Sequence, residues 1–273
     1  MKVWDPLYYD QNCVMQYRTA LRMLNSITID RSESVLDIGS GSGKITYDIS
    51  CMTEGQVVGI DISEAMVHYA KKHYRAENLS FTHGDVLKIN HQNSFDVAIS
   101  FWTLSWVDNQ LLALQNIVSA LKPGGRMYLM YPMRHDAYDV AEQMTTSLYW
   151  RKYFDDSFLA RPFVSETSYR EIANAVKDAE LAINRLEVPC LFESWSEMQA
   201  SIRSWMPHLD HLPNDKLKQE FVDEFVQEYA NYRRVTTPIM YFNVLEITGS
   251  KKLELTKQME DSIEPVLKMK AKL

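Results

Sequence analysis

Val35-Leu-Asp-Ile-Gly39-Ser-Gly41-Ser-Gly43 opens as a short apolar run and closes as a loop of alternating glycines. An apolar run stopped by glycine predicts a buried strand over 34–39. Lys44–Cys51 then carries a helical pattern. This unit repeats downstream. Gln56–Asp61 reads as a second strand, and Glu64–Tyr74 as a helix with Ser63 at its N-cap. Leu79–Thr82 and Phe95–Ser100 read as the third and fourth strands. Gln110–Leu121 reads as a helix ended by Lys122-Pro-Gly-Gly125, and Arg126–Tyr131 as a fifth strand. Near-continuous apolar strands alternating with helices predict an α/β fold, doubly wound around a mostly parallel sheet. Ligands of such sheets sit beyond the carboxyl ends of the strands, near the topological switch point.

Outside this stretch the pattern differs. Upstream, Val14, Tyr17, Leu21 and Leu24 fall at helical spacing and predict one helix over 11–25. Downstream, helices are expected at Asp139–Phe154, Ser168–Asp178, Trp195–Trp205 and Leu217–Tyr232. Two late strands, Ile183–Phe192 and Ile239–Thr248, complete the sheet, and the helices between them form a cap over the ligand site. The charged tail from Lys251 leaves two readings, a last helix or a disordered end.

The glycine spacing narrows the ligand. A dinucleotide fingerprint GxGxxG would need a third glycine where Lys44 stands, and a Walker loop would need Ser or Thr where Ile45 stands. Asp37 precedes the loop; a carboxylate there repels a pyrophosphate but suits a cationic amino group or an ordered water. Asp61 ends the second strand about 20 residues on, the place from which a carboxylate accepts ribose hydroxyls. Asp85 follows the third strand and can accept an adenine amine, with Val86 beside it. Ile62 and Met66 supply apolar contacts to the adenine faces. Each acid taken singly also fits a turn or helix cap. Taken together they point to S-adenosylmethionine (SAM), which carries an ammonium and no phosphate. The expected cofactor set is Asp37, Gly39, Ser40, Gly41, Gly43, Asp61, Ile62, Met66, Asp85, Val86 and Ser100.

Composition excludes several other classes. The chain has 273 residues and a formal net charge of −7. An acidic chain lacks the general cationic attraction that drives nucleic-acid binding. The three cysteines, Cys13, Cys51 and Cys190, form no CxxC pair and no disulfide framework. His208 and His211 stand at i, i+3 with no carboxylate cluster, so no metal is expected. Met1–Asp10 lacks the apolar run of a signal peptide. No segment approaches the roughly 20 apolar residues of a membrane span. The expected location is cytoplasmic.

Over Ser34–Tyr131 the chain resembles the class I SAM-dependent methyltransferases. VLDIGSGSG, VVGIDIS, HGDV, SFDVAIS and LKPGGR stand in that family's order and spacing. The resemblance implies a Rossmann-like seven-stranded sheet whose last two strands are antiparallel. The expected organisation is an N-terminal helical lid (1–30), a SAM-binding core (31–132), cap helices with the two late strands (133–250) and a tail (251–273). More narrowly, Trp4-Asp-Pro-Leu-Tyr8, Gln16-Tyr-Arg-Thr-Ala20 and Phe101-Trp-Thr-Leu-Ser-Trp106 resemble segments of the trans-aconitate and juvenile hormone acid methyltransferases. Those enzymes methylate carboxylates of small molecules. The resemblance places Gln16 and Trp106 where they would hold the acceptor carboxylate. The malonyl carrier-protein methyltransferases share much of the pattern.

The family often has His where this chain has Ser105, which removes a base at that position. A carboxylic acid, with a pKa of about 4, is ionised at neutral pH and needs none. A phenol or amine acceptor, a carrier-bound acid and a SAM-binding protein without catalysis are the competing readings. The Asn/Asp-Pro-Pro-aromatic signature of base and amide methylation is absent after the fourth strand, where Ser100-Phe-Trp stands. Arg161, Arg203, Arg233 and Arg234 are candidates for a second acid group on a polyacidic acceptor. Cap aromatics such as Trp150, Trp195 and Trp205 read first as packing.

Overall fold

The computed structural model describes residues 4–154 and 165–253. The glycine loop follows β1 (Val35–Ile38) and leads into α3 (Lys44–Ser50). Two helices precede β1, α1 (Pro6–Asn12) and α2 (Val14–Leu24). The single helix expected over 11–25 is therefore two. Asp5 caps the first by accepting the Tyr8 N–H at 3.1 Å, Pro6 sits in its first turn, and the chain breaks at Cys13. β2 (Val57–Asp61), α4 (Glu64–His73), β3 (Leu79–His83), β4 (Phe95–Phe101) and α5 (Gln110–Ala120) follow within a residue or two of their expected bounds. Ser63 caps α4 by accepting the Met66 N–H.

β5 spans Leu121–Pro132 and so contains the Lys122–Gly125 turn expected to precede it. Leu121 pairs with Phe95 and Arg126 with Val97, so the four residues between them bulge out of the ladder. Then come α6 (Asp136–Thr145), α7 (Glu166–Ala175), β6 (Ala179–Leu191), α8 (Trp195–Trp205), α9 (Asp215–Arg233) and β7 (Ile239–Lys251). α6 starts earlier and stops sooner than the helix expected over 139–154. Arg161 and the tail beyond 253 lie outside the described residues.

The seven strands form one sheet in the order β3-β2-β1-β4-β5-β7-β6. β7 runs antiparallel to both β5 and β6, and the other pairings are parallel. The chain winds outward from β1 to β3 and then returns to β4, so the switch point lies between β1 and β4. Alternate residues of each central strand feed opposite cores. Val35, Val57 and Val97 join the helices α2, α6, α8 and α9 on one face. Leu36, Val58 and Ala98 join α5 and Tyr169 of α7 on the other. Burial on both faces is why these strands are apolar without alternation.

One carboxylate breaks that apolar run. Asp37 is buried in β1, and its Oδ2 accepts the Thr46 hydroxyl at 2.6 Å. Burial pushes its pKa up to about 7, Thr46 opposes the rise, and the Asp61 charge adds to it. The folded state thus holds the Asp37 proton more tightly than the unfolded chain does. This group's contribution to stability is fully present below pH 3.8 and is lost as pH rises to about 7. Asp37→Asn removes the dependence. Calorimetry without cofactor across pH 4 to 8 should show the variant gaining on the wild type as pH rises, with the gap level above about pH 7. A constant gap would contradict the buried carboxyl.

Candidate cofactor and acceptor site

The glycine loop hangs from the end of β2. Gly39 and Ser40 both donate their N–H to the Ile60 carbonyl, at 2.7 and 3.0 Å. The next residue of β2, Asp61, accepts the Gly41 N–H on Oδ2 and the Ser63 N–H on Oδ1, each at 2.8 Å. Burial raises the Asp61 pKa, and these two N–H groups oppose the rise. Gly39 has φ of 80°, and a Cβ there would lie 2.0 Å from Thr103 Oγ1. Glycine alone permits both that backbone and the close seat of Thr103, whose hydroxyl donates to the Gly39 carbonyl.

Beside this loop opens a cleft with about 1140 Å³ of empty space, its mouth included. Its loop side is lined by Gly39, Ser40, Gly41, Asp61, Ile62 and Met66. Ser40 Oγ is buried there with no hydrogen-bond partner. The other side receives Gln16 from α2 and Trp106 from the turn after β4. Gln16 is only 5 % exposed, and its Oε1 is likewise unpartnered.

The remaining candidates lie elsewhere. Asp37 and Gly43 sit behind the loop, where a Cβ on Gly43 would strike Ala70 and Phe81. Ser100 is fully buried and donates to the Ile38 carbonyl at 2.8 Å, tying β4 to β1. Asp85 accepts the Leu87 N–H and pairs with Lys88 at 3.6 Å, so it closes a turn. Val86 is buried in the core under α5. Arg203 and Arg233 are engaged by Asp215, and by Asp136 and Glu187, respectively. Arg234 ends α9 with φ of 55°. Trp150 is a packing residue, as expected; its indole donates to Glu224 at 2.8 Å.

Five chamber residues carry no marker in the local pattern: Trp102, His135, Tyr138, Trp205 and Phe242. Trp102 has φ of 62°, rare for a bulky residue and found where surrounding structure enforces it. Its N–H donates to the Met130 carbonyl and its indole to Thr19 Oγ1 at 2.9 Å. His135 follows the carboxyl end of β5, a position that itself marks ligand residues in such sheets. Burial and the Arg233 charge lower its pKa to about 3, so the imidazole is neutral at physiological pH.

The N-terminal helices roof the cleft. Asp10 accepts the hydroxyls of Tyr69 and Tyr74, at 3.2 and 2.7 Å, on the α4 side. Arg18 pairs with Glu197 at 3.2 Å on the α8 side. Trp4 packs edge-on to Trp106, with centroids 5.7 Å apart. Among the described residues no helix is long and apolar enough to cross a membrane, and no group of three His, Cys, Asp or Glu could hold a metal ion.

The family model described as a methyltransferase domain matches residues 29–262. The juvenile hormone acid O-methyltransferase of Drosophila melanogaster is 31 % identical over 72 % of this chain and 71 % of its own. That of Bombyx mori is 26 % identical over 82 % of this chain and 86 % of its own. The fold is shared with phosphoethanolamine N-methyltransferase 2 of Haemonchus contortus, solved with S-adenosyl-L-methionine. That pair has a TM-score of 0.59 and 17 % identity, over 91 % of this chain and 57 % of that one. With the matched region spanning the sheet, the glycine loop and the cap, the chain belongs to the methyltransferase domain family.

Proposed function

We propose that this methyltransferase esterifies the carboxylate of a small-molecule acid. Its cofactor is S-adenosyl-L-methionine, which when bound supplies an electrophilic methyl group on a sulfonium centre. The loop side fits that cofactor. Asp61 retains acceptor capacity for ribose hydroxyls beyond its two backbone donors, Ser40 offers an unsatisfied hydroxyl, and Ile62 and Met66 offer apolar surface. The observation that carries the carboxyl reading is Gln16. It is buried and set in the chamber wall, its Oε1 has no hydrogen-bond partner, and its Nε2 is a neutral donor of the kind that orients an anion. Trp106 lines the same chamber and adds an indole N–H.

Neutral donors hold a carboxylate in place without quenching it as an arginine fork would. The acceptor needs no base, being ionised already, which accords with Ser105 in place of His and with a His135 whose pKa, lowered to about 3, makes it a weak base. The aromatic walls and the N-terminal roof exclude water from the carboxylate. Orientation is the main contribution the protein makes, worth up to roughly 7–11 kcal/mol at the limit.

Two outcomes test the site. With labelled SAM and a panel of carboxylic acids that includes a malonyl carrier protein, Gln16→Ala and Trp106→Phe should lower kcat/KM about 10- to 100-fold, the loss expected for a hydrogen bond to a charged group. Their SAM affinity by titration calorimetry should stay within about threefold. Equal losses in both would remove these residues as acceptor-orienting groups. Asp61→Asn should do the reverse, weakening SAM binding about tenfold or more as a charge-assisted partner is lost. Unchanged SAM affinity would overturn the ribose assignment.

A further inference from the structure

Two more chamber groups stand unsatisfied. His135 and Trp205 are 3 % and 7 % exposed, and both line the acceptor side. His135 Nδ1 and Trp205 Nε1 have no hydrogen-bond partner. A buried donor without a partner bears its full desolvation cost, so a protein keeps such a group where something else completes it. The two residues come from different elements, His135 from the N-cap of α6 and Trp205 from the end of α8. They nevertheless share the same two neighbours. Phe242 lies 4.9 Å from His135 and 6.4 Å from Trp205, and Tyr138 lies 4.8 and 6.1 Å from them, centroid to centroid. The two rings therefore stand in one aromatic-walled corner of the chamber.

The chemistry of that corner is uncharged. Indole N–H is neutral at all pH, and burial with the nearby Arg233 charge keeps the imidazole neutral. Arg233 is itself paired to Asp136 and Glu187. Among the described lining residues the charged groups are Lys44 and Asp61. Both stand on the loop side, and Lys44 Nζ donates to the Asp10 carbonyl. A carboxylate in the corner would be buried without a countercharge, which is strongly unfavourable. A carbonyl or hydroxyl oxygen meets the two nitrogens without that cost, since an oxygen accepts twice and neutral imidazole offers Nδ1 as donor or acceptor by tautomer.

We propose that His135 and Trp205 form a second polar subsite of the acceptor chamber, which takes an uncharged carbonyl or hydroxyl oxygen carried by the acid away from its methylated carboxylate. This rests on the carboxyl reading above. It selects oxygenated monoacids over both bare hydrocarbon acids and diacids.

The test uses matched carboxylic acids over a range of chain lengths, each as a keto or hydroxy acid and its deoxy counterpart. The full-length enzyme and labelled SAM give kcat/KM for each. The wild type should favour the oxygenated member about tenfold or more at one chain length, as expected when buried polar groups go unpaired with the deoxy acid. Trp205→Phe, which keeps an aromatic ring, and His135→Leu should each bring that ratio to within about threefold. His135→Asn, which keeps a donor near Nδ1, should retain more of it. A packing defect alone would lower both members together and leave the ratio unchanged. Equal ratios in wild type and variants would overturn the subsite while leaving carboxyl methylation intact. Failure of the wild type to methylate any acid would overturn the carboxyl reading and the subsite with it.

Discussion

Asp61 accepts the Gly41 N–H with one carboxylate oxygen and the Ser63 N–H with the other. The site is assembled around that bridge. The parallel register Ile38↔Ile60 brings the ends of β1 and β2 level, so the Ile60 carbonyl takes the first two N–H groups of the loop. Asp61, one residue on, takes the third from the loop and one from the turn that starts α4. A single strand end thus sets the path of the glycine loop and the entry of the following helix. From the other side of the switch point, Ser100 ties β4 to the Ile38 carbonyl, and Thr103 fills the space that the missing Cβ of Gly39 leaves. The loop is therefore ordered before any ligand arrives, which is the condition for a site that loses little entropy on binding.

The parallel core was legible because its signals are local. Short apolar runs, glycine stops and the Ser63 cap each act within one turn of chain, and β1 to β4 fall within about two residues of their expected bounds. α8 matches at both ends, with Ser194 accepting the Glu197 N–H just ahead of Trp195. The errors arose where a local pattern was incomplete or overridden. Apolar spacing runs through Cys13, where the backbone breaks, and Asp5-Pro6 starts a helix that the spacing alone does not announce. Lys122–Gly125 has the composition of a turn, yet pairing on either side carries the strand past it as a bulge.

The site divides in the same way. Gly39, Gly41, Asp61, Ile62, Met66, Gln16 and Trp106 converge on one cleft. Asp85 and Ser100 stand at strand ends as expected, but their side chains serve turn and sheet, and Asp37 answers to Thr46. Position along a strand indicates nearness to a ligand; it does not say which hydrogen bond a side chain takes. His135, Trp205 and Phe242 come together from α6, α8 and β7, and no spacing in the chain encodes that meeting. Trp102 is the sharper case, since a tryptophan in the left-handed region is unfavourable by about 1–3 kcal/mol unless its surroundings hold it. Met130, Thr19 and Phe242 do so here, and each is distant in sequence.

Trp102 also joins the wall of the chamber to its roof, because Thr19 belongs to α2. That helix buries six residues and is part of the main core. α1 buries none. It is held by hydroxyl and amide contacts such as Tyr8 to Ala200 and Tyr69 and Tyr74 to Asp10. The hydroxyl-to-carbonyl bond is worth about 0.5–1.5 kcal/mol, and each bond to the Asp10 carboxylate about 1.5–3. Displacing α1 opens no apolar core, whereas displacing α2 does. The acceptor chamber is thus bounded by parts of very different stability. Its floor, walls and the α2 half of its roof are tied into the core through the sheet and Trp102, while the cover over Gly41, where Tyr9 of α1 lies against the loop, rests on polar and edge contacts alone.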